Sequence, residues 1–367
     1  MHEECGGGRI MAYTTIDDPS AYFKVQLWTG NDASSRAITF DDTDTDMQPD
    51  FVWIKPRSSA IEHNLYDAPR GVTWALQAHN NEAQGEDNGY GWLSAFGSDG
   101  FTVVEGGSNA SRVNGDGVTY VAWCWKAGTT SGITTTGSDI TPDAYSFNQT
   151  SGFSVIKYEG NDTADTQLAH GIGAIPKFGI FKKLDSAGRF QVYHHALDDD
   201  EKLYLDDTHA AVTDADAWNE TDPTAVNWTI DVEDDANESG EDLVAYSWAP
   251  IQGFSKFGTY VGNGNADGPF IYTGFKPAFI ITKKTNATSP WHMYDNKRAN
   301  SFNPVTGKIT ADASDAEATG AECDFCANGV KLLVSGSDVN GSGDSFVYAA
   351  FAEAPFVNSN GVPCNAR

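Results

Sequence analysis

The sequence predicts an all-β protein of three tandem antiparallel β-sandwich domains, lectin- or jelly-roll-like and each about 100 residues long. Three observations carry this. First, one seven-residue stretch occurs three times, as PDFVWIK at 49–55, PKFGIFK at 176–182 and PAFIITK at 277–283. Second, landmarks around each copy keep their order: Tyr66, Tyr193 and Tyr294 each follow the stretch's Lys by 11 residues. An aromatic-x-Gly-Asn turn lies upstream (Trp28 to Asn31, Tyr158 to Asn161, Tyr260 to Asn263). Downstream come the triplets Asn114/Val121/Trp125, Asn237/Val244/Trp248 and Asn340/Val347/Phe351, with Lys-to-Val separations of 66, 62 and 64 residues. A period this long marks repeated structural units. Third, 12% aromatic residues and 37 Gly favour strands joined by tight turns over helices.

The units predicted are 21–127, 153–251 and 252–356, preceded by an arm at 1–20 and followed by an extended tail at 357–367. Each is long enough to bury a core of its own, so none needs to borrow one from its neighbours. Residues 128–152 are rich in Gly, Ser and Thr, account for the longer first gap, and read as a flexible linker.

Charge narrows the partners. Fifty-one acidic residues against 23 basic ones leave a formal charge of −28, which repels phosphate backbones and anionic lipid. Nucleic acid is therefore excluded, and with no apolar run long enough to span a bilayer, so is membrane insertion. The N-terminal residues MHEECGGGRI carry no apolar signal region, so synthesis and assembly in a reducing cytoplasm are expected. The five cysteines do not recur between units, and Cys323 and Cys326 form a lone C-x-x-C, which argues against a disulfide framework or a zinc site.

Along the chain, Ala21 to Trp28 alternates with the period of a half-buried strand. The loop after it carries Asp42, Asp44 and Asp46, whose alternating carboxylates can converge on a hard cation such as calcium. It lacks the Gly and the distal Glu of the helix-loop-helix calcium motif, and a solvated acidic loop is the competing reading. In the repeated strand, Phe51 and Trp53 share one face. The same spacing selects Phe178 and Ile180, then Phe279 and Ile281, as core. Lys55 continues that face and is expected to end the strand by reaching the surface. Asn114-Gly115 ahead of Tyr120 to Trp125 indicates a hairpin. In unit two, His194 and His195 invite a catalytic reading, but no nucleophile or second carboxylate stands at a fixed spacing from them, and a structural or surface role is expected. The stretch 197–223 reads as an exposed acidic loop.

Beside these residues stands a resemblance. FVWIK, HNLYD, DGFTV and TYVAWCWKAG, then SGFSVIKYEGND with HGIGAIPKFGIFKK, then GTYVGNGNADGPFIYTGFKPAFIITKKT with WHMYD, resemble a structural family of virion proteins of marine tailed bacteriophages, often described as tail fibres. The resemblance covers nearly the whole chain. It implies a β-sandwich-rich appendage on a phage particle, oligomeric and most simply a homotrimer, in contact with other virion proteins. It carries no established functional residues.

The expected function is thus non-enzymatic: a tail fibre or receptor-binding appendage contacting a glycan or protein on the host surface. A capsid decoration or head fibre is the alternative, and a glycan-degrading tailspike-like enzyme the rival from another class. Such an enzyme needs two carboxylates at a set spacing, and the many acids of this chain nominate no pair. No cofactor is expected beyond the possible calcium ion. Binding is expected in loops that differ between copies, at 75–99, 197–223 and 299–320. The first holds Tyr90 and Trp92, with Trp74 just ahead of it, and these three are the candidate ligand-binding residues, suited to stacking on sugar rings.

Overall fold

Phe51, Val52, Trp53 and Ile54 leave no polar face on the first repeated strand, and the computed structural model, which describes residues 12–41, 45–86, 89–298 and 302–366, shows that both faces are covered. Copy one contains β1 (Phe23–Thr29), β2 (Ser35–Thr39), β3 (Phe51–Pro56), β4 (Asn64–Asp67), β5 (Gly71–Leu76), β6 (Gly85–Glu86), β7 (Trp92–Gly97), β8 (Gly100–Val104) and β9 (Thr119–Trp125). Copy two contains β10 (Ala144–Asn148), β11 (Phe153–Glu159), β12 (Thr166–Ala169), β13 (Phe178–Lys183), β14 (Gln191–His194), β15 (Glu201–Tyr204), β16 (Val212–Thr213), β17 (Asn227–Ile230) and β18 (Asp242–Trp248), with a short helix α1 (Ala215–Trp218). Copy three contains β19 (Ser255–Val261), β20 (Phe270–Tyr272), β21 (Phe275–Lys284), β22 (His292–Asp295), β23 (Val305–Thr310), β24 (Ala318–Cys326), β25 (Gly329–Leu332) and β26 (Ser345–Pro355).

The fold is all-β, and one five-strand pattern recurs. Its order is β1-β9-β3-β4-β5 in copy one, β11-β18-β13-β14-β15 in copy two and β19-β26-β21-β22-β23 in copy three. Register explains two of the repeated aromatics: Phe51 lies opposite Trp125, Phe178 opposite Trp248, and Phe279 opposite Phe351. The outer face of each main sheet is capped separately. Sheet β2-β8-β7 covers copy one, the pair β12-β17 covers copy two, and in copy three the main sheet continues through β24-β25-β20.

The inner faces do not form three separate cores. Residues of all three copies belong to one apolar cluster that includes Phe51, Trp125, Phe178, Trp248, Phe279 and Phe351. The equivalent rings Trp125, Trp248 and Phe351 form a triangle with centroid separations of 6.0, 5.4 and 6.4 Å, which gives the chain an approximate three-fold arrangement. A small apolar cavity of about 20 Å3 sits among these rings. The expectation of self-sufficient units is corrected here. Strands apolar on both faces need a partner on each side, and the second partner is the neighbouring copy.

The repeat landmarks are turn and core fixtures. Trp28, Tyr158 and Tyr260 each donate a ring N–H or hydroxyl to the carbonyl just before the repeated Asn, at Val113, Ala236 and Val339, over 2.9, 2.6 and 2.9 Å. The Asn then pins the Gly-Asn turn: the backbone N–H groups of Asn161 and Asn263 donate to Asn237 and Asn340 at 3.0 and 2.8 Å, and the Asn114 amide donates to Asn31 at 3.0 Å. The intervening Gly is dictated by close approach. A Cβ at Gly30, Gly160 or Gly262 would lie 2.0, 2.3 or 2.1 Å from a backbone oxygen of the opposing loop.

Residues 128–152 are more than a linker. They supply β10, which pairs with β11, and Ser146 donates to the buried Asp50 of copy one at 3.0 Å. The arm also packs where it is described: the Tyr13 hydroxyl donates to the Gly274 carbonyl at 2.6 Å.

Candidate functional site

Lys55, Lys182 and Lys283 are wholly buried, which corrects the surface role expected for the first. A loop of the preceding copy in the ring covers the strand end. Lys55 donates to Ser314 of copy three at 3.2 Å, and Lys283 donates to Thr208 of copy two at 2.9 Å. Lys182 donates to its neighbour's carbonyl, Lys183, at 2.9 Å. Burial pushes all three ammonium groups down to about 8. A second set of locks joins the sheets. Arg70 holds Asp67 at 2.5 Å in copy one and Arg298 holds Asp295 at 2.5 Å in copy three, both pairs being buried. Each acid also receives a donor from another copy, Tyr246 at 2.6 Å and Trp123 at 3.0 Å respectively. Copy two places His194 at the equivalent position, 3.2 Å from the Tyr348 carbonyl of copy three, and burial pushes its imidazole down to about 3. His195 lies 3.1 Å from the Phe257 carbonyl. Both histidines thus face backbone carbonyls of copy three.

The candidate ligand residues of copy one occupy three settings. Trp74 lies in β5 opposite Glu86 and is half-buried. Trp92 opens β7 opposite Val104 and packs half-buried against the outer core of copy one. Tyr90 is 46% exposed, with the Arg112 guanidinium 5.1 Å over its ring. Of the candidate cation ligands, Asp42 and Asp44 lie outside the described residues and Asp46 is exposed. Among the described residues no group of three or more His, Cys, Asp or Glu side chains is placed to hold a metal ion. The acidic stretch 197–223 is largely folded. Asp206 and Asp207 bind Arg189, and Asp214 binds the buried Lys202 at 2.6 Å, with Glu233 at 3.1 Å from the same ammonium.

On the outer face of copy three, an open cleft of about 450 Å3 is lined by His292 of β22, Lys308 of β23, Glu322 of β24 and residues of the segment 333–339. Alternation along β22 puts Met293 on one face and His292 and Tyr294 on the other, and all three are buried. Lys308 donates to Glu322 at 2.7 Å, and the Tyr294 hydroxyl donates to the other oxygen of the same carboxylate. The Leu333 N–H donates to the Glu322 carbonyl at 2.8 Å and the Asn340 amide to Val334 at 2.6 Å, which fixes the far wall. His292 is 2% exposed, neither ring nitrogen has a partner, and burial pushes the imidazole down to about 4. Sequence reasoning passed over this residue. The available signal was its position two residues before the repeated Tyr, where the other copies carry Asn64 and Gln191: one polar residue in each strand, buried in every copy.

Fold and site together define a three-copy β scaffold in which the repeated lysines are engaged in internal bonds and copy three carries an open cleft. The chain belongs to the family of the domain of unknown function DUF7483, which it matches over residues 18–355, through all three copies. No curated protein and no solved structure matches it.

Proposed function

We propose that the chain is a non-enzymatic structural and binding protein of a phage particle, a tail fibre or receptor-binding appendage that contacts the host cell surface. The observation that supports this reading best is the use of the repeated polar side chains. Lys55, Lys283, Asp67 and Asp295 each bond to a different copy, so the parts common to all copies build a rigid body and leave the outer walls free to differ. Rigid scaffolds bearing variable walls are where recognition sits. The resemblance to virion proteins supplies the setting, with homotrimeric assembly as part of the same reading; trimerisation would multiply weak contacts.

Electron microscopy of source particles with gold-labelled antibody against the chain tests this. Label at the tail tip is expected. Label spread evenly over the head would replace this function with capsid decoration, and particles without label would remove the virion role. Sedimentation equilibrium on the purified chain reads the trimer directly.

A further inference from the structure

Copies two and three differ in how the outer face of their fifth strand is covered. Register places Lys202 of β15 at the position of Lys308, since Leu203 pairs with Val192 as Ile309 pairs with Met293. In copy two that lysine is sealed, its side chain 1% exposed, whereas Lys308 is 26% exposed at the cleft. The ammonium is held by Asp214 and Glu233, and the adjoining Glu201 carbonyl accepts from the ring N–H of Trp218, the last residue of α1, at 3.2 Å. Its indole packs on Phe181 and Tyr193 with ring centroids 5.1 and 5.6 Å apart. The equivalents of those two residues in copy three are Thr282 and Tyr294. Thr282 pairs directly with His292 in the β21-β22 ladder, and neither ring nitrogen of His292 has a partner. Copy three thus sets a buried histidine with no partner beside an open cleft, at the position where copy two carries Gln191.

The groups there select the ligand's chemistry. A neutral imidazole offers one donor and one acceptor. The Glu322 carboxylate has two protein donors and can take more, and the exposed Asp338 adds acceptors at the rim. One ammonium against two carboxylates, on a chain of net charge −28, disfavours an anion. An uncharged ring bearing several hydroxyl groups can use these donors and acceptors, and a volume near 450 Å3 lies within the range of small-ligand sites. We propose that the copy-three cleft binds a neutral pyranose sugar through His292, Lys308, Glu322 and Asp338, an inference that rests on the surface-binding function above.

Saturation-transfer NMR on the full chain, with the methyl pyranosides of glucose, galactose, mannose and N-acetylglucosamine as probes, tests it. Transfer to at least one sugar is expected. His292→Phe keeps a ring and removes both nitrogens, and should weaken that binding about tenfold or more, the scale of one lost hydrogen bond. Ser335→Trp, at an exposed position on the cleft wall, fills the cleft with a bulky ring and should abolish binding with the unfolding temperature unchanged. It keeps the test decisive if the His292 variant fails to fold. Transfer to none of the four sugars, or transfer that survives Ser335→Trp, overturns the proposal. Label at the tail tip alongside failed sugar binding would sink this inference alone, whereas sugar binding by a chain absent from the particle would sink the virion role alone.

Discussion

Tyr246 of the second copy donates its hydroxyl to Asp67 of the first at 2.6 Å, in a place where neither side chain reaches water. Asp67 is at the same time gripped by Arg70, whose guanidinium also bonds the Leu65 carbonyl at 2.9 Å. Burial and the adjacent carboxylate push the Tyr246 phenol far up, so it remains a donor throughout the range in which the protein would be handled. The bond spans 179 residues of chain and closes one side of the three-copy ring.

Tyr246→Phe removes this donor and leaves a buried carboxylate one partner short, at an expected cost of about 1–3 kcal/mol. Because the copies share one core, the loss should lower the midpoint of a single transition. Denaturant unfolding followed by tryptophan fluorescence and by far-ultraviolet circular dichroism should give coincident curves, for both the parent and the variant. Two separated transitions with only one displaced would show that the copies unfold independently.

The three buried lysines give a pH dependence with a definite sign. Their folded values lie near 8, below the ordinary 10.5, so between those limits the unfolded chain binds more protons and stability rises with pH. The stabilisation is complete above 10.5 and is lost as pH falls through 8, at roughly 3 kcal/mol per lysine. Tyrosines and cysteines raised by burial act in the opposite sense at the upper end. Comparison with Lys→Met variants isolates the lysines: between pH 8 and about 9.5, each of Lys55→Met, Lys182→Met and Lys283→Met should flatten the rise of unfolding free energy with pH. A slope unchanged in all three would mean that these groups are neutral-pH cations with ordinary affinity for the proton.

These lysines also show where sequence reasoning stops. Period-two spacing correctly assigned Phe51, Trp53, Phe178, Ile180, Phe279 and Ile281 to the core, because alternation is a local property of the strand. The triplicated Gly and Asn were legible as a repeat for the same reason, since each turn is built within one copy. What a neighbouring copy covers was not legible. Lys55 looked like a strand-end cation because Ser314, which covers it, is 259 residues away. Composition made 128–152 a linker although Tyr145 and Phe147 within it alternate as a strand does, and β10 pairs through all five of its residues. The copy-three cleft was not legible either, because its walls come from His292, Lys308, Glu322 and residues 333–339, which only the fold brings together.

Limited proteolysis checks the status of that segment. Residues 128–139 are exposed apart from the half-buried Ile133 and Ser138, whereas β10 is held in the sheet of copy two and through Ser146 to Asp50. Cleavage is expected within 128–139 and not within 144–148. The two fragments should then elute together on size exclusion under native conditions, because Trp125 on one side of the cut and Trp248 and Phe351 on the other remain in one core. Fragments that separate without denaturant would contradict the shared core.

The aromatic loop of copy one divides into a residue that can be tested for binding and one that cannot be tested cleanly. Tyr90 is 46% exposed, and Arg112 beneath its ring also pairs with Glu62 at 3.3 Å, so the cation has a partner if the ring is removed. Tyr90→Ala should leave unfolding free energy within about 0.5 kcal/mol of the parent, as exposed substitutions generally do. Trp92 is half-buried against the outer core that contains Leu93, Phe101 and Val103, so Trp92→Ala removes packing and should cost about 1–3 kcal/mol. Adsorption of source particles to host cells separates the roles. Under the proposed receptor-binding function, Tyr90→Ala particles should adsorb more weakly while carrying a chain of parental stability. Full adsorption by these particles would take this loop out of the binding surface and leave the outer wall of copy three as the place to look.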